Sequence, residues 1–257
     1  MTSMFVVVVS VALLFVGILA AIEIGFRAGL RGRRRDPDSV TRGIGGMEGA
    51  VFGLLGLLLA FLFGGAASRF EHRRGLIVDE ANAIGTAYLR MDLLPEPERA
   101  ENRKLFAAYV DTRIDRHARG PDGQDDPDAA RREADLQARI WATSLAALKQ
   151  VDSNAATTLV VSALNAAFDA AATRAAASRV HAPPAVTTLM FAIVGLGATL
   201  AGFSMAARLK RARLHSLVFA LALTATVYVT LDLDLPRAGL IRIDDSDRPM
   251  VEVRKSM

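Results

Sequence analysis

The sequence predicts an all-α integral membrane protein with four transmembrane helices. An extramembrane helical bundle stands between the second and third, and a short C-terminal tail follows the fourth. Two observations carry this reading. Apolar residues gather in four runs, at 4–22, 47–67, 186–207 and 214–231, and the first three match the ~20 residues that cross about 30 Å of hydrocarbon. The segment between runs two and three is nearly balanced in charge and repeats its apolar residues at helical spacing. The chain therefore divides into spans one and two with an Arg-rich linker (1–68), the bundle (69–182), spans three and four (183–234) and the tail (235–257).

Span one has no Lys or Arg before it, is longer than the apolar core of a usual signal peptide, and is followed by no small-x-small cleavage site. We read it as a retained helix. The linker at 27–46 carries Arg27, Arg31, Arg33, Arg34, Arg35 and Arg42, a turn at Asp36-Pro-Asp-Ser39, and Gly43, Gly45 and Gly46 before the chain re-enters the membrane.

Span two carries the most information. Gly49, Gly53, Gly56, Ala60, Gly64 and Ala67 recur in steps of four and three, which aligns small side chains along one stripe. Such a stripe commonly serves close helix packing, because small residues let backbones approach in lipid. It also suits a pore lining in which Leu57 and Phe61 form a narrow apolar gate. No proline or polar turn ends the span. It continues as an amphipathic rod with Phe70, Leu76, Ile77, Ala81, Ile84 and Tyr88 on one face, until Pro95 and Pro97.

A second amphipathic helix is expected over 98–117, with Leu105, Phe106, Tyr109, Val110 and Ile114 inward. A solvated loop at 120–127 precedes Asp128, expected to cap an Ala-rich helical stretch toward Val180. Its inward stripe reads Leu136, Ile140, Leu145 and Leu148 and, after Asp152-Ser-Asn154, Val160, Leu164 and Phe168. Pro183 and Pro184 break the stretch before span three. Span four contains His215, Ser216 and several Thr, whose hydroxyls can bond back to helix carbonyls. In the tail, alternation at Leu240, Ile241, Arg242, Ile243, Val251 and Val253 allows a small hairpin around 244–247.

Arg208, Lys210, Arg211 and Arg213 fill the link between spans three and four, on the same side as the 27–46 linker. Loops rich in Lys and Arg favour the cytoplasm, which leaves both termini and the bundle outside. The net charge of +4 comes from these clusters, so nucleic-acid binding is a poor reading and the lipid bilayer is the partner they fit. Chemistry is sparse. Cysteine is absent, and His72, His117, His181 and His215 stand far apart without ligand spacing, so no metal or cofactor is expected. Gly43-Ile-Gly-Gly-Met-Glu-Gly49 follows no strand and opens a membrane helix, which disfavours a phosphate loop. No catalytic residues are expected.

At the membrane exit, Arg69, Arg73 and Arg74 follow span two and Asp232 and Asp234 close span four, on one side of any four-span topology. At least one of these arginines is expected to grip Asp232 or Asp234; the alternative is that all snorkel independently to headgroups. Asp79, Glu80 and Asn82 are expected to face water or a neighbouring helix. Glu23 and Glu48 sit near span ends, where interfacial exposure accounts for them.

Three stretches resemble the bacterial bestrophin-like family of four-span proteins. They are Gly64-Gly-Ala-Ala-Ser-Arg-Phe-Glu-His-Arg-Arg74, Ile77-Val-Asp-Glu-Ala-Asn-Ala-Ile-Gly-Thr-Ala-Tyr-Leu-Arg90 and Leu231-Asp-Leu-Asp-Leu-Pro-Arg-Ala-Gly-Leu-Ile-Arg242. Span two, with Phe61 followed by Arg69, Phe70 and Arg74, is similar to the second membrane helix of bestrophin anion channels. The resemblance implies a homo-oligomer, a pentamer if a channel, with that helix lining a path for chloride or another small anion. The neck positions fall on Gly53, Leu57 and Phe61; Gly53 departs from a bulky apolar residue, and Leu62, Phe63 and Gly64 replace the usual polar ones. The resemblance also implies cytoplasmic termini, opposite to the charge rule, which we follow. Two functions stand: an anion channel, or a non-conducting scaffold or sensor whose bundle binds a partner.

Overall fold

The computed structural model describes residues 2–35, 44–118, 126–207, 213–234, 240–241 and 247–257. In chain order the helices are α1 (Thr2–Arg35), α2 (Ile44–Arg90), a 3₁₀ turn (Met91–Leu93), α3 (Glu98–Ala118), α4 (Pro127–Leu148), α5 (Asn154–Ser178), α6 (Pro184–Ala207), α7 (Arg213–Asp234) and α8 (Arg248–Lys255). No strand occurs among the described residues. The expected turn at 36–39, most of the 120–127 loop, Arg42, Arg208, Lys210 and Arg211 lie outside them.

Five helices are long and apolar enough to cross a membrane, one more than the four expected. The additional one is Asn154–Ser178, whose many alanines raise its mean hydropathy. Arg174 and the bulk of its buried face lie in a helical core, as described below.

The chain forms two compact units. The first comprises residues 1–69 and 181–235. Its core joins Ile18 and Ile22 of α1, Leu55 and Leu59 of α2, Met190, Val194 and Ala198 of α6, and Ala220, Leu223 and Val227 of α7. The outward faces remain apolar, with Phe5, Leu13, Val16, Leu196 and Leu221 exposed, as suits helices solvated by lipid. Thr199, Thr226 and Thr230 donate to carbonyls four residues back, at 2.8–2.9 Å, so their hydroxyls are satisfied within the helix.

Helices α1 and α6 approach closely. A Cβ added to Gly25 would stand 1.8 Å from the Thr199 carbonyl oxygen, and one on Gly202 would stand 1.9 Å from that of Ile22. Only glycine permits this approach. The pair reads as small-xxx-small on both sides: Gly25 and Gly29 against Ala198, Gly202 and Ala206.

The second unit comprises residues 70–180 and 236–257. Ile77, Ala81 and Ile84 of α2, Phe106, Tyr109 and Val110 of α3, Ile140 and Ala147 of α4, and Val160, Leu164 and Ala167 of α5 share one core. Leu94 is extended because Pro95 follows it, which stops the helix. Asp126, not Asp128, caps α4: its carboxylate accepts from the Asp128 and Ala129 amides, and Pro127 takes the first helical position. Ser153 caps α5 through the Ala156 amide. Leu145, expected inward, is exposed; Ser144, four residues after Ile140, takes that inward position and donates to Asn102 at 3.0 Å.

The expected hairpin is corrected. Val251 and Val253 lie on α8, which buries Met250 in the second core and packs Val253 against it. Pro249 sits in its first turn, a start signal that two alternating valines had obscured. Residues 242–246 lie outside the described ones.

Candidate functional site

The apolar N-terminal half of α2 presents two unlike faces. Phe52, Leu55 and Leu59 turn toward the first core, where Phe52 meets Phe219 edge-on at 6.0 Å between ring centroids. Gly53, Leu57 and Phe61 lie on the opposite, exposed face, and Phe61 is 69% exposed. A Cβ placed on Gly49, Gly53, Gly56 or Gly64 would meet nothing within 4 Å. Among the described residues, these four glycines therefore pack against no other helix of this chain. Close packing is carried instead by α1 and α6, whose spacing is legible in the sequence.

At the end of this unit Arg69 Nε donates to Asp234 Oδ1 at 2.7 Å, with both side chains mostly buried. The other Asp234 oxygen accepts from the Ala182 amide at 2.9 Å, and His181 Nδ1 lies 3.2 Å from the Asp234 carbonyl oxygen. Asp234 thus fixes three things together: the end of α7, the chain entering α6, and α2. Asp232 is buried and accepts from the Tyr228 hydroxyl at 2.9 Å.

The other two arginines act in the second unit. Arg73 donates to the carbonyls of Ala177 and Val180, at 3.3 and 2.5 Å. These lie at the C-terminus of α5, where carbonyls lack intrahelical partners and a cation is favoured. Arg74 pairs with Glu71 at 3.0 Å in solvent.

Glu80 departs most from its expected surroundings. Asp79 and Asn82 are exposed, whereas Glu80 is wholly buried. It accepts from Arg113 Nε at 2.7 Å and Arg174 Nη1 at 2.8 Å. Arg113 also reaches Glu133 at 2.9 Å, Arg116 reaches Glu133 at 2.8 Å, and Arg174 reaches Asp247 at 2.7 Å. Among the described residues three acids and three arginines meet here. Burial works against the charge on Arg113, but Glu80 and its other partners outweigh it and hold the guanidinium above its ordinary pKa. Burial likewise pushes the neighbouring Tyr109 phenol up. No sequence signal locates this cluster, because Arg113 and Arg174 lie 33 and 94 residues from Glu80.

Glu48, placed at a span end by the sequence, accepts from the Ser204 hydroxyl of α6. Among the described residues no three metal-ligating side chains converge.

The model of the Bestrophin-like domain matches residues 12–247. The chain belongs to the Bestrophin-like family. This bears out the resemblance drawn from the three stretches above, and it covers both units of the bestrophin-like chain. No curated protein matches it, and no solved structure does.

Proposed function

We propose that this bestrophin-like protein is a multi-pass protein of the bacterial inner membrane in which copies of α2 assemble around an axis to line a narrow path for a small anion such as chloride. Four helices span: α1, the membrane half of α2, α6 and α7. The fifth candidate, α5, buries Val160, Leu164 and Ala167 in the helical core and holds Arg174 on Glu80, which supports an extramembrane role. Gly53, Leu57 and Phe61 lie on the path.

The observation that carries this reading is the empty stripe on α2. A Cβ added to any of four glycines of α2 would meet no atom of another described element within 4 Å, although glycine in a helix is disfavoured by roughly 0.5–1 kcal/mol relative to alanine. A face that small suits apposed copies, and the Leu57 and Phe61 side chains beside it suit an apolar constriction that gates by wetting. The site offers binding and positioning groups but no nucleophile–base pair, so we read no catalysis in it.

A second reading has its own support. Beyond Phe61 the exposed face continues as Phe63 and Gly64 and reaches its first polar side chain only at Ser68, about two turns further on. In that case the protein is a non-conducting scaffold or sensor and its helical bundle binds a partner.

Chloride flux into liposomes separates the two, using wild type, Leu57→Ala and Phe61→Ala. Flux that rises on trimming supports the pore. No flux in all three, from protein shown to be folded and inserted, supports the scaffold.

A further inference from the structure

Besides the α2 face, the first unit contains a cavity of about 340 Å³ formed by α1, α6 and α7. Ile22, Phe26 and Leu217 give it an apolar lining, and Glu23, Arg213 and Ser216 give it a polar one. The two charged groups differ in one respect. Glu23 already accepts from Arg27 Nε at 2.8 Å, so its charge is answered. Arg213 is exposed and makes no ion pair or hydrogen bond among the described residues. Among the described residues, the cavity therefore carries one uncompensated guanidinium beside hydrocarbon.

Its position selects the occupant. Glu23 directly follows the apolar run of α1, and Arg213 directly precedes that of α7. Both lie where a spanning helix meets the headgroup layer. Beyond Arg27, Arg31 and Arg33–Arg35 continue the same end of α1, so the surrounding potential is positive. A water-soluble anion would leave Ile22, Phe26 and Leu217 without a partner. A choline headgroup would set a second cation against these arginines. An amphiphile with a net negative headgroup satisfies both linings, and basic pockets between membrane helices are suited to such lipids.

We propose that this cavity is a binding site for an anionic phospholipid, with its phosphodiester on Arg213 and the start of an acyl chain against Ile22, Phe26 and Leu217. The site is separate from the α2 face and does not depend on conduction.

The test is thermal unfolding of the full chain in detergent with dioctanoyl-phosphatidylglycerol, dioctanoyl-phosphatidylcholine or inorganic phosphate added. Phosphatidylglycerol should raise the midpoint by about 5 °C or more at roughly 100 times its Kd, and the other two should leave it within about 1 °C. Arg213→Gln should unfold at the wild-type midpoint without lipid and lose the shift; Arg213→Lys should keep most of it. Arg31→Gln, outside the cavity on the same end of α1, should keep it too. Equal shifts with phosphatidylcholine would mean apolar coverage alone, and equal shifts with phosphate would mean a simple anion site. Either result overturns the proposal, as does no shift at all or a full shift retained in Arg213→Gln.

Discussion

Arg113 and Glu80 form an ion pair of 2.6 Å between side chains only 1% and 0% exposed. Arg113 Nη2 makes that contact without the alignment of a hydrogen bond, while its Nε makes the aligned one. The pair matters because it joins helices distant in sequence. Glu80 lies on the C-terminal half of α2, Arg113 on α3, and Arg174, which shares Glu80, on α5.

The losses from removing the two members should not add. A lone buried charge loses about 3–5 kcal/mol when its partner goes, whereas apolar replacement of a whole pair is often near neutral. Glu80→Gln should therefore destabilise by roughly that amount. Glu80→Met combined with Arg113→Met should lose less than the sum of the single changes. Trp141, the only tryptophan, packs against this core, so its fluorescence during denaturation reports the second unit directly. A Glu80→Gln change below about 1 kcal/mol would show that water reaches the network.

The glycines divide into two groups with opposite expectations. Gly25→Ala and Gly202→Ala drive a methyl into backbone oxygens less than 2 Å away, and backbone cannot yield as a side-chain tip can. Each should prevent the folded first unit from accumulating, read as loss of the monodisperse peak in detergent. Gly53→Ala meets no described residue of another element within 4 Å and should leave the unfolding midpoint within about 2 °C of wild type or above it. Any defect of Gly53→Ala in assembly or flux then belongs to contact between copies.

This contrast also shows what the sequence could convey. Span two has the longest small-residue stripe, so spacing alone points to it for packing, yet the chain packs through shorter stripes on α1 and α6. Spacing records which backbones can approach closely; it does not record whether the neighbour is the same chain or another. The apolar helical runs, the rod and the face of α3 were legible because each is a local pattern of apolar residues. Glu80 was not, since its partners are set by tertiary packing. The tail was misread for the same reason: Val251 and Val253 alternate like a strand, but burial of Met250 in the second core decides for a helix.

That helix yields a prediction about how it is held. Arg254 makes two bonds to Asp111, at 2.7 and 2.9 Å, but both groups are substantially exposed. Exposed pairs contribute about 0–1 kcal/mol. Met250 is 1% exposed, and replacing a buried Met by Ala costs about 2–5 kcal/mol. Met250→Ala should therefore release α8 to limited proteolysis, whereas Arg254→Ala should leave the cleavage rate within about twofold of wild type. The reverse order would place the attachment in the surface pair.

Asp234 offers the sharpest test at the end of α7, because its two oxygens serve different partners. One takes Arg69 Nε and the other takes the Ala182 amide. Arg69→Ala removes one bond and leaves Asp234 with its amide. Asp234→Ala strands both a mostly buried guanidinium and a backbone N–H, and each unsatisfied donor costs about 1–3 kcal/mol. Asp234→Ala should accordingly be the more destabilising change by at least about 1 kcal/mol. In a double-mutant cycle the two should couple by roughly 0.5–3 kcal/mol, as contacting residues do. Asp234→Asn separates the contributions: its amide oxygen can still accept from Ala182, but the charge that holds Arg69 is gone. Equal effects of Arg69→Ala and Asp234→Ala, with no coupling, would mean that Arg69 snorkels to headgroups and that the carboxylate serves only the chain entering α6.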